Sequence, residues 1–107
     1  MAIKHVKTSE WESDVMNSSI PVLVDFWATW CVPCKMIGKL LETVEPSYEG
    51  KVLIAKLNAD EEQEIATRYQ IRALPTIMIF KNGEIVEKVV GAISKGKLTK
   101  LIDKYTE

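Results

Sequence analysis

Apolar positions in this chain fall into short continuous runs separated by stripes at helical spacing. Runs occupy 3–6, 20–27, 52–58 and 77–80, and a looser alternation follows from Ile85 to Val90. Ile20 to Trp27 is apolar at nearly every position, which predicts a central strand covered on both faces. Pro21 stands at its start, where a missing N–H is tolerated. Val52–Asn58 predicts a second buried strand, and Ile77–Phe80 a third. Lys81-Asn82-Gly83-Glu84 predicts a type I′ hairpin, because Asn-Gly accepts positive φ at both central positions.

The stripes predict helices between these strands. Trp11, Val15 and Met16 share one face of the first, which Ser9 and Glu12 open as a capping box and Asn17-Ser18-Ser19 ends. Met36, Ile37, Leu40, Leu41 and Val44 give an amphipathic helix beginning near Cys34. Asp60 is the expected cap of the next, with Ile65, Ala66 and Tyr69 facing inward. After Gly91 closes the hairpin, Leu98, Leu101, Ile102 and Tyr105 line the last helix. The order is βαβαβα followed by ββα, with no repeat or linker. Alternating strands and helices imply right-handed parallel crossovers, and the hairpin forces one antiparallel pair. The expected architecture is a single α/β domain over 1–107: a mixed, five-stranded central sheet between helices, in three α/β/α layers.

Composition narrows the function. A net charge of −1 offers no basic surface for nucleic acid, and no apolar run approaches the ~20 residues of a membrane span. Met1-Ala2-Ile3-Lys4-His5-Val6-Lys7 is slightly basic but precedes no apolar core or small-residue cleavage site. A cytoplasmic location is therefore expected. In reducing compartments structural disulfides are rare, and a lone cysteine pair is more often catalytic or metal-binding.

Cys31 and Cys34 are the only cysteines. Thiols three apart in a helical turn have Cα atoms roughly 5 Å from each other, inside the ~4.4–6.8 Å window of a disulfide. The expected helix start adds partial positive charge from free N–H groups, which favours a thiolate on the first cysteine. A zinc site needs about four ligands, and the one histidine, His5, is far away in sequence. A passive staple is the other alternative, but a four-residue loop returns only about 2 kcal/mol in the chain-entropy model. Redox chemistry is favoured.

Asp25 is the second anomaly, an acid inside Val22-Leu23-Val24-Asp25-Phe26-Trp27. Burial disfavours its charged form, so its pKa should rise. Taken alone, it is equally a strand-end acid in a polar pocket or a proton-transfer group.

These blocks resemble the thioredoxin family over essentially the whole chain. The matching stretches are Val24-Asp25-Phe26-Trp27-Ala28-Thr29-Trp30-Cys31, Pro33-Cys34-Lys35-Met36-Ile37 and Ala55-Lys56-Leu57-Asn58. Tyr69-Gln70-Ile71-Arg72, Leu74-Pro75-Thr76, Phe80-Lys81-Asn82-Gly83 and Val90-Gly91-Ala92 complete them. The resemblance implies the thioredoxin fold and a protein-disulfide reductase, with Cys31 as attacking thiolate and Cys34 as resolving thiol. It implies that Asp25 relays a proton to the second cysteine, with Lys56 as its partner, and that Pro75 is cis and faces the dithiol. Trp30, Val32, Pro33, Leu74, Pro75, Gly91 and Ala92 would form an apolar apron that takes an extended substrate. Implied partners are disulfide-containing proteins and a thioredoxin reductase as electron donor. The chain would act as a monomer, with no cofactor and no metal of its own.

Several residues depart from the family pattern. Val32 replaces a glycine between the cysteines, so with Pro33 it should tune the redox potential. Ala59 stands for a larger aliphatic residue and Ala73 for a glycine. Gly38-Lys39 replaces Ala-Pro, and Pro46 appears farther on, which predicts a helix straighter at Lys39 and broken or bent near Pro46. Two other functions compete with the reductase: an oxidase or isomerase, disfavoured by proline at 33, and a binding subunit that uses the apron whatever the state of the thiols.

Overall fold

The computed structural model describes residues 3–106. Met1, Ala2 and Glu107, the ends of the expected domain, lie outside the described residues. The strands are β1 (Lys4–His5), β2 (Val22–Trp27), β3 (Leu53–Asn58), β4 (Thr76–Lys81) and β5 (Glu84–Val90). They form one sheet in the order β1-β3-β2-β4-β5. β1 and β2 run parallel to β3, whereas β4 pairs antiparallel with β2 and β5. The helices are α1 (Val32–Tyr48), α2 (Gln63–Arg68) and α3 (Lys95–Asp103). Asn82 and Gly83 have φ of 53° and 79°, the doubly positive turn that Asn-Gly favours between β4 and β5.

β2 is central, and its two faces are buried differently. Val22, Val24 and Phe26 pack with Trp11, Val15, Ile65 and Phe80. Leu23 points the other way, into Ile37, Leu41 and Val44 of α1 and Leu98 and Ile102 of α3. Alternation along β2 therefore places Asp25 on the α1 side, beyond Leu23.

The first helical segment is not an α-helix. A 3-10 turn over Thr8–Glu10 leads into a π turn over Glu12–Met16, in which the Asn17 N–H donates to the Glu12 carbonyl at 2.9 Å. Irregular winding still buries both Trp11 and Val15. At ~1.5–3 kcal/mol for each large buried apolar side chain, that burial outweighs the poorer turn geometry. The cap also differs from the expected Ser9–Glu12 box: the Glu10 carboxylate accepts from the Lys7 N–H at 3.1 Å. Asp60 does not cap α2, whose N-cap is Glu62.

α1 begins two residues before Cys34, with Cys31 at its N-cap and Pro33 in the first turn. It then runs unbroken through Gly38, Lys39 and Pro46 to Tyr48, so the break expected at Pro46 does not occur. A proline this near the carboxyl end removes one bond, the one its N–H would give the Glu42 carbonyl. Val44 and Tyr48 remain buried and hold the last turn, and the Tyr48 hydroxyl donates to Asp103 Oδ1 at 2.7 Å. Pro46→Ala is expected to raise stability by about 1 kcal/mol by restoring that bond. The check is a higher urea midpoint at unchanged m-value; a lower midpoint would mean that Pro46 acts mainly by restricting the unfolded chain.

Candidate active site

The loop after β2 delivers Cys31 directly to the start of α1. Its N–H donates to the Ala28 carbonyl at 3.2 Å, and its Sγ accepts from the Cys34 N–H at 3.2 Å. Cys31 thus holds the N-cap position, where sulfur meets the free amides and positive end of the helix dipole. Cys31 and Cys34 are joined in a disulfide with Cα atoms 5.2 Å apart. Both cysteines are nearly buried, Cys31 at 4% exposure and Cys34 at 2%. Bonding each sulfur to the other removes surface from both.

Asp25, on the α1 side of β2, is wholly buried, its carboxylate oxygens without a hydrogen-bond partner among the described residues. Desolvation pushes its pKa up from 3.8 to about 7, and the charge of Lys56 opposes that rise. Lys56 is the cross-strand partner of Asp25 on β3, and Ile77 is its partner on β4. Lys56 Nζ lies 4.7 Å from the Trp27 ring centroid, a cation–π contact. Trp27 is half-buried in the strand, as packing requires.

The rim is assembled from loops. Trp30 is exposed, and its indole Nε1 donates to Asp60 Oδ2 at 2.8 Å. Asp60 therefore braces the tryptophan beside the disulfide and does not cap α2. Trp30 and Leu74 share the walls of an open groove of about 610 Å³ with Ala59, Gln70 and Arg72. The Leu74–Pro75 peptide bond is cis. Pro75 is itself buried and adds little apolar surface, because it leads into β4 and its carbonyl accepts from the Gly91 N–H at 2.8 Å. That bond joins the Leu74-Pro75 and Gly91-Ala92 segments, but Gly91 and Ala92 do not line the groove with Trp30. Val32 is exposed, as is Met36 one turn farther along α1. Met36 therefore leaves the buried face to which helical spacing assigned it; that face is Cys34, Ile37, Gly38, Leu41 and Val44.

The family model described as Thioredoxin matches residues 2–104. The chain belongs to the thioredoxin family. It is 46% identical over 104 residues to a thioredoxin of Synechocystis, covering 97% of each chain. It is 42% identical over 103 residues to a thioredoxin of Haemophilus influenzae, covering 96% of each. Against an M-type chloroplastic thioredoxin of Spinacia oleracea it is 47% identical over 103 residues, 96% of this chain and 57% of that one. With its cysteine pair in place, the chain is a thiol–disulfide oxidoreductase of the disulfide-reductase type.

Within this thioredoxin scaffold, sequence reasoning assigned no role to Gln70 and Arg72, although both lie in a block that carries the resemblance. No local signal marks them: Gln70 follows α2 at φ 54°, in the left-handed region that glycine or asparagine usually fills. Side-chain pattern alone does not show that this turn faces Trp30.

The raised pKa of Asp25 has a stability consequence. The native protein holds a proton that the unfolded chain releases, so the associated stability is complete below about pH 3.8 and is lost as pH rises through about 7. That gap corresponds to about 4 kcal/mol. In the disulfide form, the effect of Asp25→Ala should therefore become more stabilising, by up to about 4 kcal/mol, between about pH 4 and about pH 9. Denaturant unfolding at the two pH values measures this, and an equal effect at both would exclude a strongly raised pKa.

Proposed function

We propose that this chain reduces disulfides in other proteins through its Cys31-Val32-Pro33-Cys34 motif and is recycled by a reductase of the thioredoxin reductase type. The observation that carries this reading is the position of Cys31: a sulfur at the N-cap of α1, outside the carboxyl end of a central strand, tied to Cys34. In the dithiol form the helix end stabilises the Cys31 thiolate. Attack on a substrate disulfide forms a Cys31–substrate bond and releases the other substrate sulfur as thiolate, which takes a proton. Cys34, deprotonated, then attacks Cys31 Sγ, forms the Cys31–Cys34 bond and expels the second substrate thiol. Two electrons and two protons pass to the substrate. The reductase returns them.

Asp25 takes the Cys34 proton in this scheme. It sits on the α1 side of β2, one alternation beyond Leu23, which packs on Ile37 and Leu41. α1 runs back along β2, so the next turn toward its start carries Cys34. A carboxyl with a pKa pushed up to about 7 can both accept and return a proton near neutrality. Lys56 supplies the opposing charge. Val32 and Pro33, in the first turn of α1, tune the potential, and Val32 adds bulk beside the nucleophile.

Substrate is held along Trp30, Leu74 and the Pro75–Gly91 junction, with Ala92 at the outer edge. The groove beside Trp30 and Leu74 suits an extended peptide, and proline at 75 leaves the Leu74 N–H available for strand-like pairing. The chain acts as a monomeric single domain in a reducing, cytoplasmic-type compartment. Among the described residues, no helix is long and apolar enough to cross a membrane.

Cys34→Ser, incubated as the reduced protein with oxidised substrate proteins, should accumulate mixed disulfides at Cys31 and lose turnover by at least about 100-fold, scored by non-reducing gels and an insulin-type reduction assay. If turnover persisted at the unmodified rate, or if the Cys31→Ser/Cys34→Ser protein kept full activity, the exchange mechanism would be wrong.

A further inference from the structure

Gly38 lies inside α1 at a buried position, where glycine is among the poorest helix formers. Neither a turn nor a positive φ calls for it there, since the helix is continuous on both sides. What the position faces is the tip of Lys56. A β-carbon at Gly38 would fall 3.0 Å from Lys56 Nζ, inside ordinary van der Waals contact. The same Nζ lies over the Trp27 ring, and the Lys56 backbone is paired with Asp25 across β2 and β3.

We propose that Gly38 is a positioning residue for the Asp25–Lys56 pair, its absent side chain forming the seat that holds the Lys56 ammonium between α1 and Trp27 beside the buried Asp25 carboxylate. Its consequence for turnover rests on the proton-relay reading above, whereas the placement of charge does not. The groups around the pair set the direction of the effect. β4 presents only Ile77 opposite Asp25. α1 contributes buried Cys34, Ile37 and Gly38, with Lys35 and Lys39 exposed. On its other side Lys56 borders a cleft of about 100 Å³ lined by His5, Lys7, Glu61 and Glu62. A methyl group at 38 is not absorbed by α1, because Ile37 and Leu41 are packed against the sheet. The flexible end of Lys56 moves instead. Its open side is the cleft, where two carboxylates attract it, so it moves away from Asp25.

The test is a ¹³C NMR titration of the Asp25 carboxyl in the disulfide form of the unmodified protein, Gly38→Ala, Lys56→Met and the double variant. Gly38→Ala should raise the Asp25 midpoint by roughly 0.5 pH unit, a fraction of the ~1–3 units that a close opposite charge supplies. Lys56→Met should raise it further, and in that background Gly38→Ala should add nothing. An unchanged or lowered midpoint in Gly38→Ala, or the same shift with and without Lys56, overturns the proposal. Alanine is the better helix former, but should Gly38→Ala not fold, Lys56→Arg asks the same question, because its bulkier head cannot occupy the seat. A raised midpoint supports the proposal and an unchanged or lowered one overturns it. Activity separates the two readings. If Asp25→Asn leaves the pH profile of disulfide reduction unaltered, the relay fails while the titration result stands. If Asp25→Asn flattens that profile and Gly38→Ala leaves the Asp25 midpoint unmoved, only the positioning role fails.

Discussion

A carboxylic acid buried in the middle strand of the sheet, without a hydrogen-bond partner among the described residues, is the constraint on which this structure turns. Such a group costs several kcal/mol if charged and less if it keeps its proton. β2 cannot relieve the cost by exposing Asp25, because hydrogen-bonded strands flank it and side chains pack on both faces. Relief comes partly from retaining the proton and partly from a cation on the next strand. Lys56 is suited to that role because its stem runs along the sheet face while its ammonium reaches the edge of the α1 layer. The acid is left poised between its two states near neutral pH, a condition that an exposed aspartate does not meet.

The same strand fixes the redox end of the molecule. β2 ends at Trp27, a short loop follows, and α1 starts immediately beyond Cys31. This brings a sulfur to the helix amides and sends Cys34 inward on the first turn, toward the face that carries Asp25. The two features are coupled by backbone continuity. Shifting the register of β2 by one residue would turn Asp25 to the opposite face and separate it from the helix that carries the cysteines. A helix packed through Ile37, Leu41 and Val44 resists that slip, so the apolar core also serves as an alignment device for the site.

Much of this was legible in the residues. The sheet, its hairpin and the buried faces of α1 and α3 follow from run length, Asn-Gly chemistry and helical spacing. What pattern could not supply were contacts decided at long range. Asp60 has the residue type of a cap, but its carboxylate takes the indole N–H of Trp30, thirty positions away, and α2 starts after Glu62. Met36 fits a helical stripe by spacing, yet it lies one turn beyond exposed Val32 and faces outward with it. Helical spacing turns Trp11 and Val15 inward, but the winding that buries them is a π turn, set by the core rather than by local propensity. Pro46 reads as a break, and one lost bond near a helix end proves too small a penalty against two buried anchors.

Val32 and Gly38 sit on the same helix and face different surroundings. Val32 is exposed beside the cysteines and faces solvent. Gly38 is buried, and a β-carbon there would meet the tip of Lys56. A change at the first therefore alters the surface beside the cysteines, and a larger residue at the second crowds the Lys56 ammonium. The helix separates the two effects because its faces are separated: 3.6 residues per turn put positions six apart on different sides. The surface beside the cysteines and the packing against the Lys56 ammonium are thus carried by different faces of one helix.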